Sequence, residues 1–198
     1  MKRLHLSIAT ALAVLAGTAW SDEAEKPKKA DDPFAAMAKL AAPGPNHKVL
    51  GSLAGTWETK VKFWMNPDKD PMESEGVMVR KWILGGRFLQ ETYHQGDPKN
   101  PTFAGRGLLG YDNSKKKYTA MWVDSMSTGI STSLGTYDKE KNTFTFTSEG
   151  VDPYTGNKMK SRDVFQVVDA DHTVSEMFKQ SPNGKEIKVL EIKYTRKK

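Results

Sequence analysis

A chain of 198 residues, 10% aromatic and 27% charged, is long enough for one domain plus a leader and too apolar to be disordered throughout. Its net charge of +6 makes no nucleic-acid footprint, because Lys2 and Arg3 belong to a leader, Arg196-Lys197-Lys198 is a local tail, and elsewhere Lys alternates with Asp and Glu. The absence of cysteine excludes disulfides, thiolate catalysis, Cys-ligated zinc, iron–sulfur clusters and a cysteine-linked lipid anchor.

Residues 1–21 have the three parts of a secretory signal: Lys2-Arg3, the mostly apolar run from Leu4 to Gly17, and small residues at Ala19 and Ser21. Cleavage is expected after Ser21, or alternatively after Ala19. The run falls short of the ~20 apolar residues that span a bilayer, so no integral membrane segment remains after cleavage. A periplasmic or secreted location follows as the expectation. Residues 22–33 read as a flexible charged spacer without aromatics. Residues 34–54 read as N-terminal helices. Phe34, Met37 and Leu40 lie on one face of the first, Pro43-Gly44-Pro45 breaks it, and Asn46 is positioned to cap a second whose stripe is Val49, Leu50 and Leu53. Such a pair of helices serves either as a partner or membrane surface or as a plug over one end of the following domain.

From Gly55 onward the hydrophobic period changes to two, and residues 55–198 read as a barrel. Trp57, Thr59, Val61, Phe63 and Met65 point one way, and Glu58, Lys60 and Lys62 the other. Further strands are expected near 73–84, 87–95, 102–111, 117–124, 128–137, 143–150, 158–168, 173–180 and 186–196, ten in all. The connections, among them Gly85-Gly86, Asp112-Asn113-Ser114, Asp138 to Asn142, Asp169-Ala170-Asp171 and Pro182-Asn183-Gly184, are too short for parallel crossovers, so consecutive strands pair as hairpins. Gly110-Tyr111-Asp112 reaches Tyr118 at the interval by which Thr136-Tyr137-Asp138 reaches Phe144, a recurrent turn solution. An open ten-strand meander would leave two edges, and closing the sheet removes them. The fold class is therefore all-β, a closed antiparallel up-and-down barrel. The glycines of Gly105-Arg106-Gly107-Leu108-Leu109-Gly110 fit a sharply bending wall or a bulge. A barrel this wide is either filled by side chains or holds one small ligand.

Gly55-Thr56-Trp57, leaving a short helix and starting the first strand, resembles the Gly-x-Trp signature of the calycin superfamily, which includes lipocalins and fatty-acid-binding proteins. More of the chain resembles one branch, the bacterial secreted proteins grouped as domain of unknown function family 1579. The residues that carry this are Ala42 to Lys48, Leu53 to Trp57, Leu84 to Leu89, Gly105-Arg106-Gly107 with Gly110 to Asn113, Trp122 to Gly129, and Glu191 to Arg196. The resemblance spans about residues 42–198. It implies a lipocalin-like barrel and no established activity. In the haem-binding calycin branch a His near the last strand ligates iron, whereas Lys185 to Lys198 contains none, so no cofactor is expected.

His5 leaves with the leader, His172 sits in the Asp169–Asp171 turn, His47 lies beside a helix cap, and His94 stands alone on a strand, so no metal site is expected. Asp124-Ser125-Met126 is a polar break at a strand end. Asp124 shares a face with Trp122, and Ser125 follows with Thr128, which makes Asp124, Ser125 and Glu91 the candidates for a catalytic role. A hydrolase or isomerase site would need a base within reach of Ser125, and the alternative is a turn held by side-chain bonds to backbone. Glu91, Arg106, Arg162 and Glu191 stand in mid-strand, Glu91 on the face of Leu89 and Tyr93. A charge on the inner face needs a partner or a complementary ligand group, whereas the outer wall is wet. Trp64, Trp82, Trp122, Tyr93, Tyr111 and Phe103 either line a pocket or fill the core. Together these features favour a small amphipathic or apolar ligand held by Glu91, Tyr93, Arg106, Trp122, Asp124 and Met126. The competing readings are an enzyme with a polar site at the barrel mouth and an interaction barrel with a filled lumen.

Overall fold

A computed structural model describes residues 32–152, 156–181 and 184–198. The signal segment, most of the spacer and part of the Pro182-Asn183-Gly184 turn lie outside the described residues. The alternating chain forms β1 (Gly55–Phe63), β2 (Met72–Ile83), β3 (Phe88–Gln95), β4 (Phe103–Asp112), β5 (Lys117–Asp124), β6 (Ser131–Asp138), β7 (Thr143–Val151), β8 (Lys158–Val167), β9 (His172–Gln180) and β10 (Glu186–Arg196). Each strand pairs antiparallel with the next, and β1 pairs with β10 to close the barrel. The first strand stops at Phe63, so Met65, expected to extend its inner face, lies beyond it and is exposed.

At one end of the barrel the same turn recurs three times. The Oδ1 atoms of Asp112, Asp138 and Asp169 each accept two backbone N–H bonds from residues two and three positions on. Asp serves here because its short carboxylate mimics a backbone acceptor.

The same end is stoppered. After α1 (Pro33–Ala41), α2 (Pro45–Val49) runs into a 3₁₀ turn, Leu50–Leu53. Leu50 and Leu53 are completely buried against Leu89, Leu109, Tyr118, Phe144 and Phe146, so this second segment is the plug. The Tyr118 hydroxyl ties it down by donating to the Asn46 carbonyl at 3.1 Å. Its N-cap is Gly44 and not Asn46. The His47 ring turns back so that Nδ1 accepts the Gly44 N–H at 3.0 Å, and Pro45, which has no N–H to satisfy, fills the first helical position. By contrast, α1 keeps Phe34, Met37 and Leu40 in solvent, and Asn113 holds its end by donating to the Leu40 and Ala42 carbonyls.

The closure is latched beside the plug. Trp57 and Arg196 face each other across β1 and β10, and the guanidinium carbon sits 4.1 Å from the Trp57 ring centroid. Arg196 donates Nη1 to Ala54 O (2.7 Å), Nη2 to Ser52 O (2.8 Å) and Nε to Ala170 O (2.8 Å), while Trp57 Nε1 donates to Leu53 O (2.9 Å). Gly55 is required here on two counts. Its φ is +126°, and a Cβ would stand 2.6 Å from Arg196 Nη1. Replacing Arg196 with Met is expected to cost about 2–4 kcal/mol in urea unfolding, since it removes three charge-assisted bonds and a cation–π contact. Lys at that position should restore only part of the loss, because it lacks the fork that spans three carbonyls.

Candidate functional site

Strand register fixes what lines the lumen. Arg80 on β2 faces Glu91 on β3, which faces Gly107 on β4, which faces Trp122 on β5. Arg80 Nε donates to Glu91 Oε1 at 2.7 Å; the Arg80 side chain is 3% exposed and that of Glu91 14%. The guanidinium carbon lies 4.8 Å from the Tyr194 ring centroid and 5.1 Å from that of Phe165, so a buried charge is both paired and covered.

The glycines of β4 seat Trp122. A Cβ on Gly105 would collide with the indole, and one on Gly107 would stand 2.7 Å from Glu91 Oε2 and 3.0 Å from the ring. The indole is pinned there by its Nε1 bond to Asp124 Oδ2 (3.1 Å). Asp124 Oδ1 meanwhile accepts the Met126 N–H at 2.9 Å. Tyr93 faces Met78 and Gly105, buried, with its ring edge-on to Phe103.

Glu91, Tyr93, Trp122 and Asp124 are thus brought to one side of the lumen. Arg106 is not: it points outward, exposed, with Nη1 donating to the Gly105 carbonyl. Met126 lies past the end of β5 and is 77% exposed. Ser125 Oγ accepts the Ala104 N–H at 3.1 Å, and no hydrogen bond joins it to a histidine among the described residues. Two other mid-strand charges also belong to the outer wall. Arg162 forms a two-bond pair with Glu186 over the Phe178 ring, and Glu191 accepts from Lys188. Among the described residues no three His, Cys, Asp or Glu side chains gather as a metal site. His47 caps a helix, and its pKa is lowered by burial; His172 contacts Asp169.

Two lumen charges escaped the sequence reading. Arg80 is hidden in Gly76-Val77-Met78-Val79-Arg80, where both faces look apolar. Asp163 shares its face with Ser161 and Phe165, opposite to Arg162, and only the parity of Phe165 and Val167 could have revealed it. Asp163 sits between Phe146 on β7 and Met177 on β9. Its Oδ1 is sealed from solvent and has no hydrogen-bond partner among the described residues. Burial pushes its pKa up to about 6, with Arg162 pulling weakly the other way. One step nearer the unplugged end, the Ser148 and Ser161 hydroxyls share a 2.6 Å hydrogen bond.

Two apolar clusters fill the inner face, one around the plug and a second of Trp57, Met78, Tyr93 and Tyr194 with Val61, Phe103, Trp122 and Ile192 packed against it, while Ser148, Ser161, Met177 and Leu190 toward the unplugged end remain half-buried. A concavity of about 930 Å³ runs along the outer wall, lined by Phe88, Leu108, Met121, Leu134, Phe178 and Arg162 among others, and reaches Ser148 and Ser161. Its charges are already matched, Arg162 with Glu186 and Lys160 with Glu149. The unmatched polar atoms lie inside the barrel, which makes the lumen the better chemical candidate.

These features define a closed ten-stranded antiparallel barrel, plugged at one end, with a few polar groups set in an apolar interior. The chain belongs to the family described as Protein of unknown function (DUF1579), whose model matches residues 42–196. A comparison with curated proteins found no match. Among solved structures it is similar to Rv2717c from M. tuberculosis (16% identity, TM-score 0.59, 79% of this chain and 100% of that one). A redesigned β-barrel also matches (14% identity, TM-score 0.38, 76% and 96%), as does a DUF3598 protein of unknown function from Nostoc punctiforme (8% identity, TM-score 0.21, 78% and 100%). The first likeness supports the fold alone.

Because the pKa of Asp163 is raised in the folded state, the carboxylate favours folding when protonated and opposes it when ionised. Stability is therefore expected to be greatest below about pH 4 as far as this group is concerned, and to fall as pH rises through about 6. Asp163→Asn should remove that slope and raise stability at pH 7.5 by up to about 3 kcal/mol, measured by urea unfolding across pH 4–8.

Proposed function

We propose that this protein is a calycin-like carrier, acting in the periplasm or outside the cell, that reversibly captures a small amphipathic molecule in the unplugged half of its lumen. One observation carries the reading. Polar atoms inside the barrel, Arg80 Nη1, Asp163 Oδ1 and Thr173 Oγ1, are shielded from solvent without a hydrogen-bond partner among the described residues. An interior built only for stability pairs such groups, because each orphan costs about 1–3 kcal/mol. The half-buried apolar residues Val61, Met177, Leu190 and Ile192 would take the ligand's hydrocarbon from water, while a lumen charge would fix its polar end.

A second reading, docking of a protein partner, is favoured by the outer trough and by the exposed stripe of Phe34, Met37 and Leu40 on α1. Native mass spectrometry of protein purified from its own host separates the two. A copurifying small molecule, released on unfolding together with a change in Trp122 fluorescence, is the expected result. A copurifying polypeptide with an unliganded barrel would favour docking, and a barrel that never retains a small molecule would count against capture.

A further inference from the structure

On the inner faces of the strands, three carboxylates (Glu91, Asp124 and Asp163) meet three cations, Arg80, Lys179 and Arg196, the last committed to Trp57 and the carbonyls of the plug. Arg80 is spoken for by Glu91 at 2.7 Å and by two aromatic rings. Lys179, at the rim, reaches Asp152 at 3.7 Å. Asp124 has donors on both oxygens. Asp163 alone keeps a carboxylate oxygen that is sealed from solvent and unbonded among the described residues.

Its surroundings show why nothing in the chain compensates it. On β7 it faces Phe146, with uncharged Ser148 on the same inner face and Glu149 outside on Lys160. Met177 faces it from β9, and the nearby Glu176 is outside on Lys188. The adjacent cation, Arg162, is on the opposite side of the wall and held by Glu186 at 2.6 Å and 2.8 Å. The ring of inner residues level with Asp163, namely Phe146, Met177 and Leu190, is apolar. An anion has little to gain here, since the one deep cation is already neutralised.

We propose that Asp163 is the anchor for a ligand bearing a protonated amine, whose ammonium donates to the carboxylate while its apolar body lies against Phe146, Met177 and Leu190. The proposal rests on the capture reading and specifies its ligand class. The Ser148–Ser161 hydroxyl pair, one step toward the unplugged end, gives the remaining ammonium protons acceptors. Binding is linked to pH: an ammonium is charged throughout the neutral range, so affinity is set by ionisation of Asp163 and is lost as pH falls through about 6.

The test is calorimetric titration of the full chain with three probes of one tail length: octylammonium, octanol and octanoate. At pH 7.5 octylammonium is expected to bind at least ten-fold more tightly than either competitor. Its affinity should drop about ten-fold between pH 7.5 and pH 5, where about a tenth of Asp163 stays ionised. D163N should abolish the preference for the ammonium head, with circular dichroism reporting that the barrel is intact. Octanol or octanoate binding as tightly as octylammonium to the wild type would overturn the anchor and leave capture standing; this comparison needs no variant. A flat pH profile, or a folded D163N that keeps the preference, would also overturn it. If none of the three binds, the amine assignment falls, and capture falls with it only if no molecule copurifies either.

Discussion

The contact of Arg196 with Trp57 is the constraint on which the barrel depends. Nine of the ten strand pairings join neighbours in sequence through turns, and their chain-entropy cost is small. The tenth, β1 with β10, brings together residues as far apart as Ala54 and Arg196, 142 positions along the chain. Loop closure over such a span is the costly step, and without it the sheet would present two open edges. The guanidinium compensates by joining three segments: the plug's last turn at Ser52 and Ala54, the β8–β9 turn at Ala170, and the first strand at Trp57. Gly55 is the residue that lets it approach.

Putting the latch and the plug at the same end has a consequence for the other. The apolar residues Leu50, Leu53, Leu89, Leu109, Phe144 and Phe146 gather around the plug, and beyond them a second cluster of Trp57, Met78, Tyr93 and Tyr194 shares the inner face with glycines, serines and isolated charges. Trp122 belongs to both regimes. It is held against β4 by Gly105 and Gly107, anchored by Asp124, and packed against the cluster of Trp57, Met78, Tyr93 and Tyr194.

Much of the architecture was legible because strand alternation and turn chemistry are local. Ten strands, the plug's apolar stripe and the Asp-headed turns all follow from residues within a few positions of one another. Side-chain roles were less legible for the reason that they depend on what lies across the sheet. The glycines of β4 suggested a bending wall, and their contribution to Trp122 appears only when β5 is laid beside them. Glu91 shares its parity with Leu89 and Tyr93, which left its direction open until the register was known, and Arg80, its partner, lies in a stretch with valines on the opposite face and no contrast to betray its direction. Arg106 and Arg162 drew attention as mid-strand charges, yet each had the outward parity. Asn46 looked like the helix cap, but Pro45 occupies the first helical position and His47 reaches back to Gly44, a geometry that residue propensity alone does not reveal.

The two deep charges, Arg80 and Asp163, mark the difference between a buried ion that serves the fold and one that does not. Removing Glu91 from Arg80 would leave an uncompensated cation between two rings, so the pair reads as a self-contained structural unit whose members need each other. Asp163 has no such unit. Its carboxylate is destabilising when ionised, burial raises its pKa, Arg162 beside it is turned to the outside and already bound, and Lys179 one step toward the rim pairs with Asp152. For the fold alone, asparagine or a small apolar residue at this position would be the better choice, since either would remove the cost without opening the wall. A carboxylate placed against its own stability is a group whose compensation is to be sought outside the chain, and with Phe146, Met177 and Leu190 level with it, the cationic ligand we propose would supply that compensation directly.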